Sequence, residues 1–187
     1  PDGLPLHSLE EYRHFVGNGA RRLIERAAGT ADPALIGRLL TDFLRIYDRD
    51  CLARTKPYPG IPELLAVLSA QRCRLVVVTN KPEEQAVKIL EHVFPERPFA
   101  AICGGRAGRR HKPDPAALLE TLEAVGAGPE TAIYVGDSDV DVHTAHNAGM
   151  PCAGAVWGFR GEEELARAGA DVLLYEPAGL LRCLELF

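Results

Sequence analysis

From residue 61 onward the chain alternates between two periodicities, and no other feature constrains its fold as tightly. A helical pattern over 61–70 leads into the apolar run "RLVVVTN", and one over 83–93 leads into "FAAICGG". Residues 114–125 precede "TAIYVGD", 139–148 precede "PCAGAVWG", and 162–168 precede "ADVLLY". A last helical stretch covers 178–186. Strands alternating with helices argue for βαβ units and a parallel sheet. The strand runs are apolar throughout, as expected where helices cover both faces. Ligands bind such sheets beyond the carboxyl ends of the strands, so the loops after each strand are the ones that matter.

Before residue 57 the pattern is helical throughout. "SLEE" is a capping-box signature, with Glu11 three residues after Ser8. A second helix is expected over 19–28, after the loop "FVGNG". A third is expected over 33–52, with Leu35, Leu39, Phe43 and Ile46/Tyr47 at helical spacing. The segment "KPYPGIPEL" then places three prolines, Pro57, Pro59 and Pro62, within six residues. Such a connector is stiff, and it divides the chain into a helical part, 1–56, and an α/β part, 57–187.

Composition excludes several function classes. With 187 residues, 47% hydrophobic and 25% charged, the chain suits one compact domain with a small appended unit. A net charge of −5 gives no support for nucleic-acid binding. The longest strongly apolar run, "LVVV", is far too short for a membrane span. "PDGLPLHSLEE" lacks the basic and apolar segments of a signal peptide. The five cysteines are scattered without a CxxC pair, which reads as reduced thiols in a cytoplasmic protein. Oligomeric state stays open.

Three strand ends carry unusual polar groups. The first gives Thr79 and Asn80, the loop after the second leads to Lys112 in "HKPDP", and the third gives "GDSDVD". Read singly, Thr79 and Asn80 end a strand and cap a helix, and Lys112 is a solvated lysine. Ser138 or Asp139 serves as a helix N-cap, with Asp141 complementing the helix dipole. That leaves Asp137, at the end of a buried strand. Two carboxylates converging there require a cation or a proton. One or two carboxylates, completed by phosphate and water, is the usual way to hold Mg²⁺. Hydroxyl and amide donors, one lysine and a carboxylate cluster on one edge together equip a site for a phosphoryl group.

In this order and at these separations, "VVVTN", "KPDP" and "GDSDVD" resemble three motifs of the haloacid dehalogenase-like hydrolases. The phosphoglycolate phosphatase group is the nearest likeness. "SLEEYRHFVGNGARRLIERA" resembles that group's helical cap, and "KPYPG" its cap-to-core connector. The resemblance implies a Rossmann-like parallel sheet with a small all-helical cap. It implies a Mg²⁺-dependent phosphomonoester hydrolase acting on a small acidic phosphorylated metabolite, 2-phosphoglycolate foremost. It further implies that Thr79 binds the phosphoryl group, that Asn80 helps position it, and that Lys112 stabilises phosphate and nucleophile. Asp137 is implied as the Mg²⁺ ligand, with Asp141 supporting the metal directly or one layer out. Gly17, Asn18, Gly19 and Arg21 are implied to close over the substrate; a plain interhelical turn with a surface arginine is the other reading of the same residues.

The family's chemistry starts from a DxDGT motif at the end of the first strand, whose first aspartate becomes an aspartyl-phosphate. No such motif occurs between Pro1 and Phe187. Asp2-Gly3 has no strand before it, and Asp48-Arg49-Asp50 closes an amphipathic helix and is followed by Cys51-Leu52. In the family fold that strand lies in the middle of the sheet, and its removal exposes two strand edges. The expectation is therefore that roughly 25 to 30 residues precede Pro1 in the native polypeptide, and that these 187 residues alone are inactive. A sugar phosphomutase of the same superfamily, or a non-catalytic pseudo-phosphatase, are the competing readings.

Other motifs have plainer readings. "GGRAGRRHK" lacks the GK[ST] ending of a P-loop, so Arg106, Arg109 and Arg110 are expected to be loop charges. His143 and His146 lie three apart with no third ligand in view and read as a helix-surface pair. Trp157 is expected to pack in the core.

Overall fold

The computed structural model describes residues 3–184. Three helices come first: α1 (Leu9–Phe15), α2 (Ala20–Ala28) and α3 (Pro33–Asp50). The capping box of "SLEE" is formed. The Ser8 amide donates to Glu11 Oε2 at 2.8 Å, and the Glu11 amide to Ser8 Oγ at 3.2 Å. Two N–H groups that the first turn leaves over are thereby satisfied. Asp32 starts α3 by accepting the Ala34 amide at 3.0 Å, and Pro33 occupies the first helical position, where its missing N–H costs nothing.

The α/β part follows as α4 (Ile61–Ala70), β1 (Leu75–Pro82), α5 (Glu83–Val93), β2 (Phe99–Gly105), α6 (Ala116–Ala124), β3 (Tyr134–Gly136), α7 (Asp139–Asn147), β4 (Cys152–Ala155), α8 (Glu162–Ala168), β5 (Val172–Leu174) and α9 (Gly179–Cys183). The order is the one the periodicity predicts. α6 starts at Ala116 rather than at 114 because the Asp114 carboxylate caps it, accepting the Ala116 amide at 3.0 Å. Asp2 and the expected end of the last helix, at 186, lie outside the described residues.

Every strand pairing is parallel: β1 with β2, β3 with β4, and β4 with β5. Among the described residues the strands form two sheets, one of two strands and one of three. β1 and β3 approach each other through a side chain rather than a ladder. The Tyr134 hydroxyl of β3 lies 3.4 Å from the Val78 carbonyl of β1. Burial follows the pairing. β4, flanked on both sides, is buried at all four residues, whereas β1 is only half-buried from Leu75 to Thr79. The core holds two clusters. One joins Val142 and Ala145 of α7 to Leu118 and Leu122 of α6, Cys152 and Leu165; the other joins Leu64 and Leu68 of α4 to Leu174 and Leu180. The first cluster holds Tyr134 of β3 and Cys152 of β4, and the second holds Ala153 of β4, so the loops after these strands start from packed residues.

Candidate active site

The site starts where β3 ends. Gly136 and Gly158 allow an approach that no side chain would permit. A Cβ on Gly136 would sit 2.2 Å from Asp141 Cβ, and one on Gly158 would sit 2.3 Å from Asp137 Cβ. Asp137 Oδ2 accepts the Phe159 amide at 2.9 Å. Burial pushes the Asp137 carboxyl above its usual range, and the neighbouring Asp141 charge adds to this; the Phe159 amide and the Lys112 charge oppose both without reversing them.

Asp141 is saturated. Its Oδ2 accepts the Asp137 amide at 3.1 Å, the Ser138 amide at 3.2 Å and the Ser138 hydroxyl at 2.7 Å. Its Oδ1 accepts Lys112 Nζ at 2.6 Å and the Tyr134 hydroxyl at 3.3 Å. Burial works against ionisation of this carboxyl, but the Lys112 charge and these donors outweigh it and hold it below the usual range. Lys112 shows the mirror image. Burial would lower its affinity for the proton, and the fields of Tyr134 and Asp141 more than reverse this. Burial first, and Asp141 with it, pushes the Tyr134 phenol up to about 12, against the pull of Lys112. The repulsion between two adjacent acids is thus cancelled on one side only. Lys112 ion-pairs with Asp141 and offsets the Asp137 charge only in part, so Asp137 keeps a raised affinity for a cation or a proton.

Asn80 sets the lysine in place. Its Oδ1 accepts the Lys112 amide at 2.8 Å, and its Nδ2 donates to the Lys112 carbonyl at 3.1 Å and to the Gly17 carbonyl at 2.9 Å. Asn80 is buried, at 7% exposure, so these bonds are its main commitments. Thr79 Oγ1 accepts the Lys81 amide at 3.1 Å, within the last part of β1 where the pairing with β2 is irregular. The Lys81 ammonium bonds the Tyr47 hydroxyl of α3. The α1–α2 turn therefore sits over the strand ends. Gly17 is tied to Asn80, and a Cβ on Gly19 would lie 3.1 Å from the His111 ring.

Lys112, Asp137 and Asp141 thus form one cluster, which Asn80 joins to Gly17. Asn18 and Gly19 share that turn, and Thr79 adjoins Asn80. Arg21 is exposed and lies 3.8 Å from Glu25 on its own helix. Arg106 and Arg109 pair with Glu83, at 3.6 and 2.5 Å, and Arg110 with Asp114 at 3.1 Å. His146 pairs with Asp171 at 3.0 Å, and Trp157 packs against the α4 cluster. Tyr134 and Phe159 escape sequence reasoning as members of the site, and Ser138 reads from sequence only as a strand-end residue and helix N-cap. Phe159 contributes through its backbone, which leaves no signature in residue type.

Among the described residues, no group of three or more His, Cys, Asp or Glu side chains is placed to hold a metal. Within this cluster of described residues, Asp137 offers a half-buried, hard, anionic oxygen with no lysine or arginine in ion-pair contact. That donor set fits Mg²⁺, which keeps several waters and takes few protein carboxylates.

The comparisons with known proteins converge. A family model described as haloacid dehalogenase-like hydrolase matches residues 2–155. The chain is 35% identical over 189 aligned residues to "Phosphoglycolate phosphatase 1" of Pseudomonas aeruginosa, covering 98% of this chain and 69% of that protein. It is 33% identical to the "N-acetylmuramic acid 6-phosphate phosphatase" of the same organism, covering 98% and 82%. Among the curated relatives it matches, the chain spans as little as 60% of the relative's length. A crystal structure described as a predicted phosphoglycolate phosphatase from Haemophilus somnus superposes with a TM-score of 0.88 at 28% identity, covering 97% and 84%. By the family match and by these relatives, the chain belongs to the haloacid dehalogenase-like hydrolases.

Proposed function

We propose that the protein is a Mg²⁺-dependent phosphomonoester hydrolase for a small acidic metabolite, with 2-phosphoglycolate as the leading substrate. The observation that carries this reading is the asymmetric acid pair. Asp141 is fully occupied by Lys112, Tyr134 and Ser138, while Asp137 beside it is half-buried and, among the described residues, accepts only the Phe159 amide and has no lysine or arginine in ion-pair contact. Asp137 would hold Mg²⁺ directly, and Asp141 would hold Lys112 and the Ser138 turn in place. When bound, the metal would neutralise charge on the transferring group. Lys112 stabilises phosphate oxygens, and the Thr79 hydroxyl binds them. Asn80 acts on the phosphoryl group indirectly, by fixing the Lys112 backbone. In the family's mechanism the attacking group is an aspartate carboxylate. It bonds phosphorus as the alcohol leaves, and water then cleaves the aspartyl-phosphate to inorganic phosphate.

Residues 1–56 act as the cap and 57–187 as the core. The Gly17–Gly19 turn closes the site, with Arg21 nearby to meet a substrate carboxylate. Names of the relatives support 2-phosphoglycolate over larger sugar phosphates by number, and N-acetylmuramic acid 6-phosphate is the specific competitor. Five free cysteines, four of them buried, agree with a cytoplasmic setting. Among the described residues no helix is long and apolar enough to cross a membrane.

The test is phosphate release by the native polypeptide from 2-phosphoglycolate, N-acetylmuramic acid 6-phosphate and a sugar bisphosphate, with Mg²⁺ and with chelator. Mg²⁺-dependent turnover, fastest on 2-phosphoglycolate, is expected. Turnover indifferent to chelation would refute the metal, and a preference for a sugar phosphate would refute the substrate.

A further inference from the structure

Phe159 joins Asp137 to the helical cap. Its amide donates to Asp137 Oδ2 at 2.9 Å, and its carbonyl accepts Arg13 Nη2 of α1 at 2.8 Å. Its ring lies 5.2 Å from the Arg13 guanidinium carbon and 5.7 Å from that of Arg160. Arg160, with its side chain only 12% exposed, continues the link: it donates to the Val16 carbonyl at 3.1 Å and meets His14 Nδ1 at 2.9 Å. Glu164 Oε1 lies 3.6 Å from Arg160 Nε and accepts the Asp139 amide at 3.2 Å, which ties the same arginine to the first turn of α7. The loop has no slack at its other end. Gly158 packs so closely on Asp137 that a Cβ there would overlap it, at 2.3 Å.

We propose that Arg13 and Arg160 are positioning residues that couple cap seating to the metal-binding carboxylate. The proposal rests on the phosphatase reading, in which Asp137 holds the metal. With the α1–α2 turn seated, Arg13 grips the Phe159 carbonyl and Arg160 grips the turn. The Phe159 amide then fixes one oxygen of Asp137. When the cap lifts, both arginines leave, the loop loosens, and that oxygen loses its donor. Coupling of this kind is reciprocal, so a metal on Asp137 favours the seated cap. A hydrogen bond with one charged partner corresponds to about a tenfold or larger change in an equilibrium; only part of it passes from the arginines to Asp137, so about a two- to tenfold change is expected. If the two arginines merely pinned the helices to the core, their loss would lower stability and leave metal affinity unchanged.

The experiment titrates the native polypeptide with Mn²⁺ and reads free Mn²⁺ by electron paramagnetic resonance, beside thermal unfolding. Arg13 is exposed, so Arg13→Met is expected to fold; it should weaken Mn²⁺ binding about two- to tenfold. Arg160→Met should do the same, and Arg13→Lys should recover part of the loss. Asp137→Ala, as control, should abolish the site. Unchanged Mn²⁺ affinity in both methionine variants, with wild-type binding lost in Asp137→Ala, would overturn the coupling alone. Wild-type Mn²⁺ binding that survives Asp137→Ala would overturn the coupling and the metal assignment together.

Discussion

Lys112 Nζ lies 2.6 Å from Asp141 Oδ1, with 12% and 9% of the two side chains exposed. Removing one partner of such a buried pair strands the other charge. Lys112→Met is expected to cost about 3–5 kcal/mol, a fall in melting temperature of roughly 10 °C for a chain of this size. Lys112→Met/Asp141→Asn should melt above Lys112→Met, since the asparagine relieves the stranded charge. Calorimetry on the two variants and Asp141→Asn completes the cycle. Additive effects would mean that the pair is not coupled.

Asp137 predicts the opposite sign. Its folded carboxyl is raised by burial, so it favours folding at acid pH, and that contribution is lost as pH rises through the folded value. At neutral pH without metal, the ionised form is a cost. Asp137→Asn should therefore raise the metal-free melting temperature, by roughly 2–4 °C for each kcal/mol relieved. Mg²⁺ should stabilise the wild type and leave the variant unmoved. A destabilised Asp137→Asn would show that the Phe159 contact outweighs burial.

Gly158 tests the packing behind that carboxylate. An added Cβ falls 2.3 Å from Asp137 Cβ, so Gly158→Ala must displace one of the two segments. A loss of about 1–3 kcal/mol is expected, together with loss of Mg²⁺ protection. Urea unfolding with and without Mg²⁺ reads both effects. A variant that kept full Mg²⁺ protection would separate the loop from the site.

A pH effect away from the site is expected at Asp171. Its Oδ2 accepts the Cys152 amide at 2.8 Å and lies 3.0 Å from His146 Nε2. The Cys152 amide chiefly, with help from His146 and against burial, holds this carboxyl below the usual range. A lowered folded value gives stability that is present above the unfolded value and lost as pH falls through the folded one. Asp171→Asn should melt lower than wild type at neutral pH and converge with it below about pH 4. The carboxylate is partly exposed, so the gap should be small and shrink in salt. A gap that persisted in acid would assign the effect to packing.

The sequence was legible where chemistry and position coincide. Periodicity located the five strands of the described residues, and three strand ends announced their polar residues, so Lys112, Asp137 and Asp141 could be named together. What those residues do to one another was not legible. Asn80 looked like a phosphate group's neighbour, whereas its amide is spent on the Lys112 backbone and Gly17. The link from Arg13 to Phe159 spans 146 residues and ends on a carbonyl, which every residue possesses. Arg160 did stand in a strand-end loop, "WGFRG", where its single charge between two glycines was a readable signal. Strand pairing is likewise non-local: the five apolar runs look alike, and only the fold shows that β1 and β3 meet through Tyr134 rather than through a ladder.

The proposed role of Asp137 is to hold the Mg²⁺ that phosphoryl transfer requires. Its most direct measurement is 2-phosphoglycolate hydrolysis by the native polypeptide and by Asp137→Ala across a Mg²⁺ titration. Saturable Mg²⁺ dependence is expected in the wild type, with a loss of at least about 10²-fold in the variant at every Mg²⁺ concentration. A variant that hydrolyses the substrate at the wild-type rate would contradict that role.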